Sequence, residues 1–129
     1  MSGQVKAEVF ESPIGTYWFE ESGILVSQSK NVRRTLENMR ENISLLKRIT
    51  GGKPACLIVH LTYSPKPDKP TLDYVASEMP KVYKAMAMVS KSGLAKLILF
   101  FLFKLKPPPI PMKTYSNEKD AKEWIRRYL

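Results

Sequence analysis

The sequence has little of what marks a secreted or membrane-spanning protein. Its 129 residues contain a single cysteine, Cys56, which excludes an intramolecular disulfide. No run of about 20 apolar residues is present, the length that a helix needs to cross a bilayer. The first residues show no apolar targeting segment. These features predict a cytoplasmic protein, and the length predicts one domain over residues 1–129.

Acidic residues are scarce in the C-terminal part of the chain. The net charge is +9, of which residues 1–80 contribute +1 and residues 81–129 contribute +8. No Asp or Glu occurs between Lys81 and Asn117. If these lysines converge, they form a basic face that attracts anionic lipid, nucleic acid or acidic protein, whereas dispersed lysines are only a solvated surface.

No catalytic or metal-binding motif can be assembled from the sequence. His60 is the only histidine, and the nearest candidate partner, Cys56, is about 13 Å away if both lie on one strand. A metal site needs about three or four converging ligands, so we interpret His60 as a hydrogen-bonded structural residue. The segment 51–54, Gly-Gly-Lys-Pro, lacks the spacing of a phosphate-binding loop and fits a helix stop better. We therefore expect no enzymatic activity, no cofactor and no metal.

Apolar periodicity and turn residues predict an α/β fold with a mixed sheet. Three short strands at the N-terminus suit an antiparallel meander, and strands then alternate with helices. The predicted order is βββαβαβαβα, with four helices and right-handed crossovers. The predicted elements are strands 5–10, 16–19 and 24–29, a helix 32–50 capped by Asn31, strand 55–61, a helix 71–79 capped by Thr71 and ended by Pro80, strand 84–90, helix 93–105, strand 111–115 and a last helix capped by Asn117.

The predicted helix 93–105 is unusually apolar. About two-thirds of its circumference is apolar, against roughly a third for an ordinary surface helix. Such a helix is packed between the sheet and a neighbouring helix, forms a homodimer contact, or covers an apolar cavity or lies at a membrane interface. The candidate ligand-binding or membrane-binding residues are Lys91, Lys96, Leu97, Phe100, Phe101, Phe103 and Lys104.

The chain resembles a known fold group in three segments. These are Gly-Thr-Tyr-Trp-Phe at 15–19, Leu-Ile-Val-His-Leu at 57–61 and Lys-Glu-Trp-Ile at 122–125. With the element order, they resemble bacterial SpoIIAA-like proteins of the STAS (anti-sigma-factor antagonist) fold group, which is similar to CRAL-TRIO lipid-binding domains. The resemblance covers nearly the whole chain. It implies a non-enzymatic module that binds a protein, a lipid or a small apolar ligand.

A phosphorylation motif of that group is absent. STAS antagonists carry a phosphorylatable Asp-Ser-Ser-Gly turn after the strand that matches residues 55–61. This chain has Thr-Tyr-Ser-Pro at 62–65. The candidate regulatory hydroxyls near that position are Thr62 and Ser64.

The leading interpretation is a non-catalytic binding or regulatory module. It would bind a protein partner, a second copy of the chain, or an apolar small molecule or lipid through the layer containing helix 93–105. The alternative is peripheral association of the same helix with an anionic membrane, at the inner membrane face. Specific nucleic-acid binding is not expected, because the aromatic residues of 93–105 are phenylalanines grouped with leucine and isoleucine rather than spread for base stacking.

The membrane alternative predicts salt-sensitive binding to anionic liposomes. Each lysine near an anionic surface contributes about 1 kcal/mol, so Lys96→Glu combined with Lys104→Glu should release the protein. Co-sedimentation with neutral and anionic liposomes measures this, and neutral liposomes serve as the control. Anionic-liposome binding that is unchanged in the double variant would contradict the membrane alternative.

Overall fold

A computed structural model describes residues 8–90 and 109–129. Three α-helices and six strands lie in this part of the chain, with short 3-10 turns at Glu21–Gly23 and Arg126–Tyr128. None of the described helices is long and apolar enough to cross a membrane. The elements are β1 (Phe10–Ser12), β2 (Gly15–Phe19), β3 (Leu25–Ser29), α1 (Leu36–Ile49), β4 (Ala55–His60), α2 (Lys69–Val82), β5 (Tyr83–Val89), β6 (Met112–Tyr115) and α3 (Glu118–Ile125).

The six strands form one mixed sheet in the order β1-β2-β3-β4-β5-β6. β1, β2 and β3 pair antiparallel, and β3 to β6 pair parallel. The predicted meander and mixed sheet are therefore confirmed. Gly15 fits the β2–β3 pairing because a Cβ there would lie 2.7 Å from the Gln28 carbonyl oxygen.

Alternation along the central strands divides their side chains between two faces. On one face, Leu25, Leu57 and Met86 pack with α1 and α2, and we call this the cavity face. On the other face, Val26 and Ile58 pack with α3. Because successive strand residues point to opposite sides, a strand that is covered on both faces is apolar throughout. The continuous apolar run 55–61 predicted such a strand, and β4 is covered on both faces.

Helix α1 begins later than predicted. Thr35, not Asn31, is the N-cap: its Oγ1 accepts from the Asn38 backbone N–H at 3.1 Å, and Asn38 Oδ1 accepts from the Thr35 N–H at 2.8 Å. The preceding residues are held in a turn because Arg34 Nη1 donates to the carbonyls of Lys30 and Val32. The predicted stop is confirmed, since Gly51 and Gly52 have positive φ values of 67° and 80°.

Helix α2 is longer at both ends than predicted. Asp68, rather than Thr71, is the N-cap, and its Oδ1 accepts from the Thr71 N–H at 3.0 Å. Pro80 lies inside the helix instead of ending it. Only two helical residues follow Pro80, and the Tyr83 N–H still donates to the Met79 carbonyl, so the proline removes a single bond from the last turn.

The C-terminal strand and helix agree with the prediction. β6 occupies Met112–Tyr115, and Asn117 caps α3 by accepting from the Asp120 N–H at 2.9 Å. The predicted helix 93–105 lies outside the described residues. The strand predicted at 5–10 is described only from residue 8, and β1 begins at Phe10.

An ion pair and a hydrogen bond join α3 to the sheet and its neighbouring turn. Lys122 Nζ lies 2.5 Å from Glu20 Oε1, beside β2, and 3.3 Å from Glu118 Oε2. His60 Nε2 lies 2.6 Å from Glu118 Oε1. The bond from Lys122 lowers the pKa of Glu20, and the bond to Glu20 raises the pKa of Lys122. The Glu20–Lys122 ion pair therefore stabilises the fold at pH values where Glu20 is deprotonated and Lys122 is protonated.

Glu20→Gln should lower the free energy of unfolding by about 0.5–1 kcal/mol at pH 7, since the pair is partly exposed. The Glu20 contribution is complete above its ordinary pKa of 4.5 and is lost as pH falls through its lowered value. Urea unfolding at several pH values measures the difference from wild type. Glu123→Gln, an exposed position on α3 next to Lys122, is the control. A difference that persists unchanged at low pH would contradict the ionic explanation.

Candidate ligand-binding cavity

A cavity of about 340 Å³ lies on the cavity face. The sheet forms its floor, α1 and α2 contribute walls, and the segment 61–67 after β4 covers one side. Tyr63 in that segment lines the cavity and is nevertheless 65% exposed. Tyr63 therefore lies between the cavity and the protein surface.

Most of the cavity wall is apolar. Strand alternation places every second residue of β4 and β5 on this face, and the helical period does the same for one side of α1 and α2. Methionine is frequent here, and its flexible thioether adapts to irregular shapes. The apolar wall residues from these elements are Leu57, Val59, Met86, Met88, Met39, Ile43, Val75 and Met79.

A buried asparagine marks the polar part of the cavity. Asn42 lies on α1 and is 2% exposed. Its Oδ1 accepts from Ser12 Oγ at 2.7 Å and from the Tyr17 hydroxyl at 2.8 Å. Its Nδ2 has no hydrogen-bond partner among residues 8–90 and 109–129. Thr71 Oγ1 is the one described side-chain nitrogen or oxygen that is both sealed from solvent and unpartnered, so Asn42 Nδ2 is not sealed, and Asn42 lines the cavity.

Two tyrosines extend this polar region. Burial raises the pKa of Tyr17, and its hydrogen bonding with Asn42 and Tyr83 opposes this effect. Burial also raises the pKa of Tyr83 well above its usual value, and the neighbouring Tyr17 adds to the effect. Both phenols are therefore neutral at physiological pH and act as hydrogen-bonding groups, not as bases or nucleophiles.

Arg34 brings a positive charge to the cavity wall. Its Nη1 donates to the Lys30 and Val32 carbonyls at 3.0 and 2.9 Å, and its Nη2 lies 3.5 Å from the Ile14 carbonyl oxygen. It forms no ion pair with any described Asp or Glu. Burial lowers the pKa of Arg34, opposed by the charge interaction with Tyr17, but arginine stays protonated at neutral pH.

Both predicted regulatory hydroxyls line the cavity. Thr62 is fixed to β3: its N–H donates to Ser29 Oγ at 2.8 Å, and its hydroxyl donates to the Ser29 carbonyl at 3.1 Å. Ser64 makes no hydrogen bond to the described part of the chain. Their regulatory role stays a prediction.

The predicted helix residues Lys91, Lys96, Leu97, Phe100, Phe101, Phe103 and Lys104 lie outside the described residues, so the structure neither joins them to the cavity nor separates them from it.

His60 and Cys56 lie away from the cavity. Both are on β4, and they face the α3 side of the sheet. The predicted hydrogen bond of His60 is present, to Glu118. Burial raises the pKa of the Cys56 thiol, which makes it less reactive. No group of three or more His, Cys, Asp or Glu that could hold a metal ion occurs among the described residues.

Residue patterns alone did not identify Asn42, Arg34 or Tyr17 as site residues. The available signal was the position of Asn42, three residues after Met39 and four before Leu46, on the apolar stripe of α1. A polar residue on such a stripe needs a buried partner. Arg34 gave no signal, since it precedes the helix in an exposed-looking basic segment.

Comparison with known families agrees with this fold. A family model described as a domain of unknown function, DUF7793, matches residues 17–129. The chain belongs to the DUF7793 family. Tyr17, Arg34 and Asn42 lie within the segment 17–129 that matches the DUF7793 family model, and Ser12 lies before it. The search of curated proteins gave no match.

A solved structure shows the same architecture. It is an uncharacterized protein of the DUF3478 family with a SpoIIAA-like fold, from Shewanella loihica PV-4. The DUF7793 chain is 16% identical to it, with a TM-score of 0.54 over 97% of this chain and 98% of that one. The SpoIIAA-like fold inferred from the sequence is therefore confirmed, and at this identity the likeness concerns the fold alone.

Asn42→Ala should lower the free energy of unfolding by about 1.5–3 kcal/mol, because the buried Ser12 and Tyr17 hydroxyls lose their acceptor. Urea denaturation measures the loss. Tyr17→Phe made in the Asn42→Ala background should cost less than in wild type, because the shared bond is already gone. A loss below about 0.5 kcal/mol would show that the hydroxyls find other partners and that the network is not structural.

Proposed function

We propose that this protein is a non-catalytic binding module that takes up one small, mostly apolar molecule in the cavity between the sheet and helices α1 and α2. The observation that carries the proposal is the cavity itself, which combines an apolar wall with a few polar groups around Asn42. Small-molecule sites have this composition and volumes of about 300–1,000 Å³. The cavity of about 340 Å³ is at the lower end of that range, which favours a single compact ligand.

The surroundings of the cavity support binding rather than catalysis. The only histidine of the chain, His60, is bonded to Glu118 on the opposite side of the sheet. The tyrosines at the cavity are held neutral by burial. A catalytic site uses a base or nucleophile within hydrogen-bond reach of the substrate, whereas these groups favour recognition.

Two alternatives depend on the segment 93–105, which lies outside the described residues. One is binding of a protein partner or a second copy of the chain, and the other is peripheral association with an anionic membrane. The liposome experiment separates the membrane alternative from the ligand proposal. Native mass spectrometry of the purified protein separates a retained small molecule from a dimer, since the two change the mass by very different amounts.

Val59→Phe should abolish binding of the neutral fluorescent dye prodan, because the larger ring occupies the cavity. Fluorescence titration measures the affinity, and thermal unfolding checks that the variant is folded. Val9→Phe is the matched control: the same substitution is made at a position that is 56% exposed and outside the cavity, so prodan should bind as it does to wild type.

Two results would contradict the proposal. One is saturable prodan binding by Val59→Phe with wild-type affinity, which would place the dye elsewhere. The other is no saturable binding by the wild-type protein to prodan or to any of the ten-carbon amphiphiles described below.

A further inference from the structure

The charged residues around the cavity are all of one sign. Among the described residues that line it, Arg34 and Lys66 are basic, and no Asp or Glu is present. The Arg34 guanidinium bonds only to backbone carbonyls within the described chain. A partly buried cation without a counterion is costly unless an anion binds beside it.

A neutral donor belongs to the same cavity. Asn42 lines it, and its Nδ2 is unpartnered within the described chain and not sealed from solvent. Asn42 and Arg34 are linked through the β1–β2 turn. Ser12 Oγ donates to Asn42 Oδ1 and accepts from the Ile14 N–H. The Ile14 carbonyl in turn accepts from Arg34 Nη2 at 3.5 Å. Both side chains also act on Tyr17, Asn42 through a hydrogen bond and Arg34 through its charge.

The remaining wall suits the other end of the same ligand. β4, β5 and the facing sides of α1 and α2 present aliphatic and methionine side chains to the cavity. Apolar surface removed from water there contributes about 25 cal/mol per Å², while a charge-assisted bond fixes the orientation of the ligand. An uncharged hydrocarbon would leave Arg34 without a counterion and Asn42 Nδ2 without an acceptor among the described residues.

From this arrangement we infer that the ligand is an acidic amphiphile, with a carboxylate bound by Arg34 and Asn42 and an apolar body held between β4, β5, α1 and α2. This inference rests on the proposed function, because it names the chemical class of the ligand for the same cavity. The carboxylate accepts from the Arg34 guanidinium and from the Asn42 Nδ2–H. It thereby provides the counterion and the acceptor that the chain does not supply among its described residues.

The test compares three probes with the same ten-carbon chain and different head groups: decanoate, decanol and decylammonium. Calorimetric titration of the full chain should give the order decanoate, then decanol, then decylammonium. We expect decanoate to bind about 10-fold or more tightly than decanol, the usual effect of one charge-assisted bond. Equal affinities for decanoate and decanol, or tighter binding of decylammonium, would overturn the inference.

Arg34→Gln should reduce the ratio of decanoate to decanol affinity about 10-fold. Arg34→Lys, which keeps the charge, should recover part of that ratio. Arg127→Gln is the matched control: it removes the same charge from an exposed C-terminal turn outside the cavity, so the ratio should not change. A purely structural role of Arg34 would weaken both probes equally, and that result would overturn the inference.

The two proposals fail in different ways. If decanol and prodan bind but decanoate has no advantage, the cavity binds apolar molecules and only the head-group inference is wrong. If none of the probes binds the wild-type protein and Val59→Phe changes nothing, both proposals are wrong.

Discussion

The central strands β3, β4 and β5 must be covered by helices on both faces of the sheet, and the rest of the structure follows from this constraint. Val26, Ile58 and Ala87 on one side and Leu25 and Leu57 on the other are almost fully buried. Parallel strands reach this state only when helices pack on both faces of the sheet. Helix α3 covers one face, and α1 with α2 covers the other.

The two faces are filled differently. Under α3, the strands present small residues such as Cys56, Ala85 and Ala87, and Trp124 from the helix fills the space above them. On the cavity face, α1 carries Asn42 where an apolar side chain would complete the packing. Its Oδ1 accepts from Ser12 and Tyr17, so a polar network and the cavity lie beside α1 where continuous apolar packing would otherwise be.

The cost of this arrangement gives the proposed ligand a thermodynamic role. An unsatisfied buried donor costs about 1–3 kcal/mol, and a partly buried cation without a counterion adds to that. A ligand that binds only the folded chain stabilises it in proportion to the logarithm of its concentration over Kd. If the proposed ligand binds, the empty protein is the less stable form, and added ligand raises its resistance to unfolding and proteolysis.

The sequence predicted most of the architecture because the strands and helices carry strong local signals. The alternating and continuous apolar runs located β2 to β6, and Gly51 and Gly52 located the end of α1. The start of α1 was wrong because Asn31 and Thr35 are both good caps, and only the folded turn shows Arg34 bonded to the Lys30 and Val32 carbonyls. The end of α2 was wrong because Pro80 is tolerated when only two helical residues follow.

The cavity could not be predicted in the same way. Its existence depends on the separation between the sheet and the α1–α2 layer, which no local pattern encodes. Asn42 was visible as a polar residue on an apolar stripe, but its partners Ser12 and Tyr17 are 30 and 25 residues away in the chain. The segment 93–105, the strongest sequence signal, lies outside the described residues and stays a prediction.

The junction between α2 and β5 limits how the cavity can change shape. Val82 ends the helix and Tyr83 begins the strand, with no connecting residue between them. β5 is paired on both sides, to β4 and β6, so this end of α2 cannot lift without pulling a central strand from the sheet. The other end of α2 follows the segment 61–67, which belongs to no helix or strand. A change in the shape of the cavity therefore costs most at the α2–β5 junction and least on the side of the segment 61–67, where Tyr63 is exposed.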